Sequence, residues 1–364
     1  VVTPESFQEG IETVNGSVVP EDNGDIIYLG IDLGTSKITI CTNDGTMFSE
    51  HSLIAHSSGD FSEIGDEGEI FFGKSILERT DLERKWPVRD LIKDEDVVGP
   101  GCLKILLEHC IQAAGVTADP GQMYAMISVP SGASASYKRT VLEAARHLFR
   151  GVMVANGLFC VAYGSQRLEG SLIIDVGTSK TDICRIKSNI PEDDDYLSIS
   201  VAGEDIDKEL VDLLAEKYEG LKATPELAKG WKEAYGFVGD MDEECKVALP
   251  LDDSSQEVII TEELRLACES IIPDIVSGII KMVSGAEPHF REALRNNICL
   301  CGGGSKIRNV RSFIENELKG FGGGRVFLID DPEFAGAYGA CRLAEKMPGE
   351  FWEKLNNCDN LKTI

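Results

Sequence analysis

Two aspartates carry the chemistry this sequence advertises. Asp32 and Asp175 each end a short apolar run and open turns of matching composition, Asp32-Leu-Gly34-Thr35-Ser36-Lys37 and Asp175-Val-Gly177-Thr178-Ser179-Lys180. A glycine in such a turn permits positive φ and lets a ligand approach the backbone closely. Successive N–H groups there form an anion-binding nest, with Thr and Ser hydroxyls as further donors. A carboxylate repels phosphate but suits Mg²⁺, which binds few protein carboxylates and keeps several waters. The predicted chemistry is a magnesium triphosphate clamped between two facing turns.

The elements that must position these turns are strands. Apolar residues precede each turn (Ile26 to Ile31; Leu172 to Ile174), and β-branched runs follow (Ile38 to Cys41; Ile183 to Ile186), so each copy predicts a β-hairpin. One such hairpin alone would be ordinary. Two copies, separated by far more than the roughly 20–50 residues of solenoid repeats, predict two similar domains. A third feature comes late: the apolar run Asn297 to Cys301 leads into Gly302-Gly303-Gly304-Ser305. A strand, a glycine run and a helix N-terminus together form an anion platform. Ser305 is expected to cap a helix over Lys306 to Leu318. The spacing is neither that of a Walker loop nor that of a dinucleotide fold.

The expected organisation is an irregular tail over 1–24, domain I over 25–165 with a small insertion at about 46–100, domain II over 166–345 with an insertion at about 206–270, and a tail over 346–364. A last helix is expected from Asp331-Pro332 to Glu345, within domain II. The acidic stretch Pro191 to Asp195 reads as a solvated loop.

The chain has 364 residues, with 43% hydrophobic and 27% charged, as in globular domains. Its net charge of −27 argues against binding nucleic acid or anionic lipid. The eleven cysteines are scattered, several in apolar runs, as reduced buried thiols are. No run approaches the ~20 apolar residues of a membrane span.

With these residues in view, the chain resembles the actin-like ATPase superfamily over about residues 26–345, and within it the magnetosome-type bacterial actins. The stretches carrying that resemblance are Lys232-Glu-Ala-Tyr-Gly-Phe-Val-Gly239, Thr261 to Glu269, Gly302 to Arg308 and Arg342 to Glu345. The resemblance implies an α/β actin-like fold, two similar ribonuclease H-like domains around a nucleotide cleft. It also implies ATP or ADP with Mg²⁺, and polymerisation into cytoplasmic, cytoskeletal filaments that position organelles. The partners implied are further copies of the chain and organelle-associated adaptor proteins, with no direct nucleic-acid binding or membrane insertion.

By position, Asp32 and Asp175 would hold the metal. Gly34, Thr35, Ser36, Gly177, Thr178 and Ser179 would cradle the β- and γ-phosphates. Gly203 and Asp207 would lie near the ribose, and Lys232 and Glu233 would line the adenosine pocket. Gly302, Gly303, Gly304 and Ser305 would back the adenine and α-phosphate. Lys37 and Lys180 are equally consistent with surface lysines and with phosphate ligands.

Two departures stand out. Where bacterial actins usually carry the Glu that activates water, this chain has Asn156, or Gly157 if the gap falls differently. Asn orients water but is no general base, which implies slow hydrolysis or reliance on Asp175. The second turn also replaces the usual Asp-x-Gly-x-Gly-Thr-Thr-Asp with Asp175-Val-Gly-Thr-Ser-Lys-Thr-Asp182. Other readings are a plasmid-segregating or cell-shape actin, a small-molecule kinase, which lacks a candidate base near Asn156, and a chaperone-type ATPase, which would need a long further region.

Overall fold

The structure is a computed structural model that describes residues 26–57, 69–77, 79, 81–93, 100–187, 190–252 and 254–356. The tail expected over 1–24 lies outside them. The chain forms two compact units, one of residues 1–167 and 333–364, the other of residues 168–332.

The first unit opens with β1 (Ile27–Leu33), β2 (Lys37–Thr42) and β3 (Met47–His51), followed by β4 (Ile54–His56), β5 (Ile70–Phe72) and β6 (Glu83–Lys85). Then come α1 (Pro87–Lys93), α2 (Pro100–Ala113), β7 (Met123–Val129), α3 (Ala135–Ala145), β8 (Gly151–Asn156) and α4 (Gly157–Gly164). The main sheet runs β3-β2-β1-β7-β8. Its first three strands pair antiparallel, and β1, β7 and β8 are parallel. All seven residues of β7 are buried, as a parallel strand covered on both faces requires. Helices α2 and α3 send Leu103, Leu106, Leu107, Val141 and Leu142 into the core with Leu29, Ile31 and Leu33. Ser134 caps α3 by accepting from the Tyr137 N–H at 2.9 Å.

The inserted region is smaller than expected, because β3 belongs to the main sheet. A three-stranded sheet β5-β4-β6 remains, with its own cluster around Leu53, Ala55 and Ile76.

The second unit contains β9 (Ser171–Val176), β10 (Thr181–Ile186), β11 (Tyr196–Ile199), α5 (Gly203–Lys217), α6 (Pro225–Tyr235), β12 (Lys246–Pro250) and β13 (Ser255–Ile259). It continues with α7 (Thr261–Glu269), α8 (Ile272–Ser284), α9 (Pro288–Asn296), β14 (Ile298–Cys301), α10 (Val310–Glu317) and β15 (Val326–Leu328). Its sheet runs β11-β10-β9-β14-β15, with β9, β10 and β11 antiparallel and β9, β14 and β15 parallel. The strand order and directions of the first unit are thus reproduced. The duplication seen in two short turns extends to two whole sheets.

Four further expectations are corrected. The last helix, α11 (Ala335–Lys346), belongs to the first unit rather than to a second domain running through 345. It packs on β1 and α4 through small residues: a Cβ on Gly30 would fall 1.9 Å from the Ala337 carbonyl oxygen. Within the stretch expected as a C-terminal tail, α12 (Gly349–Asn356) is a docked helix whose Trp352 is 1% exposed and packs on Tyr124. The acidic stretch is not a solvated loop throughout: Asp195 is 1% exposed, with its Oδ1 3.0 Å from Arg185 Nε and 3.2 Å from Lys187 Nζ. A buried carboxylate survives there because two cations on β10 and just beyond it compensate its desolvation. Finally, Ser305 caps no α-helix. Gly303–Lys306 form a 3-10 turn, and α10 begins after Asn309, whose φ is 65°.

Among the described residues no helix is long and apolar enough to cross a membrane.

Candidate functional site

In the first unit, β1 delivers Asp32 to the end of the sheet, and the turn Gly34-Thr35-Ser36 leads straight into β2. Gly34 is required there, since a Cβ would sit 2.6 Å from the Lys37 carbonyl oxygen. Ser128, at the end of the neighbouring parallel strand β7, donates its hydroxyl to Asp32 Oδ1 at 2.5 Å. Burial nevertheless raises the Asp32 pKa, and the Ser128 hydrogen bond only partly opposes it. Gly336 of α11 lies against the same carboxylate, where a Cβ would come 2.9 Å from Asp32 Cγ. Neither Ser128 nor Gly336 was singled out in the sequence. A lone serine at a strand end and a glycine in a small-residue helix carry no distinctive spacing.

Lys37 reaches Glu333, Nζ to Oε1 2.7 Å, and Ser49 donates to the same oxygen at 2.8 Å. Asn156 caps α4: its Oδ1 accepts from the N–H of Leu158 at 2.9 Å and of Phe159 at 3.3 Å, while Nδ2 donates to Ser131 at 3.2 Å. The Asn156 side chain is therefore occupied in holding a helix terminus.

In the second unit, the turn Gly177 to Lys180 closes through the Gly177 N–H donating to the Lys180 carbonyl at 3.1 Å. The start of α5 braces it: the N–H groups of Gly203 and Glu204 donate to the carbonyls of Gly177 at 3.1 Å and Thr178 at 2.8 Å. A helix N-terminus has unpaired donors, and here the loop supplies the acceptors. Lys232, on α6, fixes the same corner. Its Nζ lies 2.6 Å from Asp207 Oδ1 on α5 and donates to the Gly203 carbonyl at 2.7 Å. Burial raises the Asp207 pKa, and the Lys232 ammonium counters it. Four residues expected around one ligand, Gly177, Gly203, Asp207 and Lys232, are thus joined by hydrogen bonds and ion pairing. Glu233 stands apart, 64% exposed at its side chain and 3.9 Å from Lys229.

The triple glycine backs this arrangement. Gly302, with φ of 75°, sits where a Cβ would come 2.0 Å from Asp175 Oδ1, and one on Gly304 would lie 2.3 Å from Val176 Cγ1. Gly303 faces open space. Ser305 donates its hydroxyl to the Gly302 carbonyl at 2.7 Å, holding the ledge against β9.

Each hairpin places a buried polar residue directly across from its aspartate: Thr39 opposite Asp32, and Asp182 opposite Asp175. Thr39 Oγ1 and Asp182 Oδ1 are buried without a hydrogen-bond partner. Such orphaned oxygens carry a desolvation cost of about 1–3 kcal/mol each unless a ligand or water meets them. Within each hairpin, the aspartate and the orphaned oxygen across from it fit a hydrated cation that neutralises carboxylate charge and donates through its waters. Asp182 was visible in the second motif but given no role.

The model of the family described as MreB/Mbl protein matches residues 27–349. The chain belongs to the MreB/Mbl family. This MreB/Mbl chain is 30% identical over 346 residues to the actin-like protein MamK of Paramagnetospirillum magneticum, covering 91% of this chain and 96% of that one. A solved MamK double helical filament superposes with a TM-score of 0.79 at 30% identity, covering 88% of this chain and 99% of its own. A non-polymerising MamK point mutant bound to AMPPNP gives 0.71 at 28%, with coverage of 88% and 99%. The fold is the actin-like one, and this family member is MamK-like.

Proposed function

We propose that this MreB/Mbl-family chain binds Mg-ATP with the turns of both hairpins and, so loaded, polymerises into cytoskeletal filaments that position magnetosomes. What carries the reading is the duplicated hairpin, each copy with an aspartate at its first strand's end and an unpartnered buried oxygen across from it. The MamK relatives, one solved as a filament and one with a nucleotide analogue, support it.

In this reading Asp32 and Asp175 hold the metal through water. Gly34, Thr35 and Ser36, with Gly177, Thr178 and Ser179, offer backbone N–H groups and hydroxyls to the phosphates. Gly203, Asp207 and Lys232 form the ribose corner, whose geometry the Lys232 ammonium fixes by tying α5 to α6. Glu233 contributes at the solvent edge, and Gly302 to Ser305 give the purine a flat backbone ledge. Bound Mg²⁺ would neutralise phosphate charge and so favour transfer to water. Asp175 and Asn156 are the residues nearest that role in the sequence pattern. Because Asn156 has no proton-accepting carboxylate and its oxygen is spent on a helix cap, hydrolysis is slow and filaments turn over slowly. Organelle-bound adaptors complete the proposed assembly.

The test is sedimentation and electron microscopy of the full chain with Mg-ATP, with Mg-ADP and with ATP plus a chelator. Filaments that form with Mg-ATP are expected. Failure to pellet at any workable concentration, with nucleotide binding intact, would discard the filament half of the proposal.

A further inference from the structure

The two turns share the triplet Thr-Ser-Lys, but their lysines are tethered differently. Lys37 leaves its own hairpin and pairs with Glu333. Lys180 folds back over its hairpin, placing Nζ 3.0 Å from Asp182 Oδ2. Asp182 stands directly across from Asp175, so the ammonium is held at the end of the sheet where the phosphate turn begins. Asp182 is 7% exposed, whereas the Lys180 side chain is 28% exposed and retains access to solvent. The turn that carries Lys180 is fixed on both sides, by its own Gly177 to Lys180 hydrogen bond and by the start of α5.

A purely structural ion pair would be expected to satisfy the buried partner. This one leaves Asp182 Oδ1 unmatched, so the lysine neutralises Asp182 without saturating it. Two carboxylates facing each other, one of them buried, make a strongly anionic floor that would repel a triphosphate more than a diphosphate. One ammonium aimed at that floor changes the balance in favour of the extra phosphate. Charge-assisted hydrogen bonds of this type are about twice as strong as neutral ones.

Resting on the nucleotide reading above, we propose that Lys180, positioned by Asp182, is the residue by which the second turn prefers ATP over ADP. The Thr-Ser-Lys sequence of this turn makes the preference a property of this chain's own residues, separate from the metal-holding aspartates.

The experiment measures Mg-ATP and Mg-ADP affinity of the full chain by calorimetry, together with thermal melting. For Lys180→Gln we expect about a tenfold loss for ATP against less than about a twofold change for ADP, with melting preserved. Lys180→Arg should keep most of the ATP preference, because it keeps the charge. Lys180→Met, which removes the same charge, should lower the ATP-to-ADP affinity ratio by a similar factor. Equal losses for both nucleotides, or an unchanged ratio in Lys180→Gln, would overturn the proposal. If Lys180→Gln does not fold, an unchanged ratio in Lys180→Met overturns it instead. Failure of the underlying nucleotide reading is distinct, since the unmodified chain would then bind neither nucleotide.

Discussion

Gly339 of α11 lies so close to Cys160 of α4 that a Cβ would fall 1.8 Å from the Cys160 carbonyl oxygen, and from the other side a Cβ on Gly164 would meet Gly339 Cα at 2.8 Å. The two helices touch backbone to backbone, and α11 also lies on β1, which carries Asp32. Gly339→Ala should therefore destabilise the chain by about 3 kcal/mol, the upper range for overpacking, since backbone rather than a flexible side chain must yield. Urea unfolding followed by tryptophan fluorescence reads the loss; Trp352 reports on this unit. An unchanged midpoint would show that α4 and α11 can separate freely.

In the Lys232–Asp207 pair the aspartate side chain is 4% exposed and the lysine side chain 12%. Lys232→Met removes one charge and leaves the other unpaired, a change that costs about 3–5 kcal/mol in comparable buried pairs. Adding Asp207→Asn should recover much of the loss, so the double variant unfolds at higher urea than Lys232→Met alone. Strict additivity of the two substitutions would show the pair to be uncoupled.

Asp32 is a carboxylate whose pKa burial raises. A raised folded pKa means the protonated form is favoured in the native state, so its stabilising contribution is complete below the ordinary Asp value and lost as pH rises through the folded one. At neutral pH the ionised group is a liability in the absence of a cation. Asp32→Asn keeps an oxygen for the Ser128 hydroxyl and should raise the melting temperature at pH 7 without nucleotide. That gain should vanish as pH falls below about 4. The same variant should weaken Mg-ATP by about tenfold or more, as loss of a metal-holding carboxylate would. Melting curves against pH and a binding isotherm check both halves.

Asn156→Ala removes the cap of α4 and should cost about 1 kcal/mol, seen as a lower urea midpoint. Asn156→Asp preserves the capping oxygen and introduces a carboxylate. Its stability should match the parent, and phosphate release in the presence of Mg-ATP should accelerate. An Asp variant that hydrolyses no faster would place the bottleneck elsewhere.

Much of this arrangement was legible in the residue order because local rules dominate it. Apolar runs bounded by Gly-containing turns gave both hairpins. What escaped notice depends on partners distant in the chain. Gly336 and Gly339 stand three apart on one helix face, but nothing local said that this face returns to the first sheet. Asp195 sits in a run of like charges that reads as solvated until Arg185 and Lys187 are seen folded over it. Asp207 and Lys232 were each singled out, but no spacing rule says that a helix–helix contact will join them. Ser305 had the residue type of a cap; the left-handed Asn309 delays the helix instead.

The route of the chain through its two units bears on the order of events during synthesis. Residues 168–332 are contiguous, and the sheet β11-β10-β9-β14-β15 with its covering helices is complete once Pro332 has emerged. The first unit starts earlier yet waits longer, because Gly30 on β1 is covered only when α11 arrives. A ribosome making this protein therefore finishes the inner half before the outer one, and the strand bearing Asp32 is left without its late-made cover through most of translation.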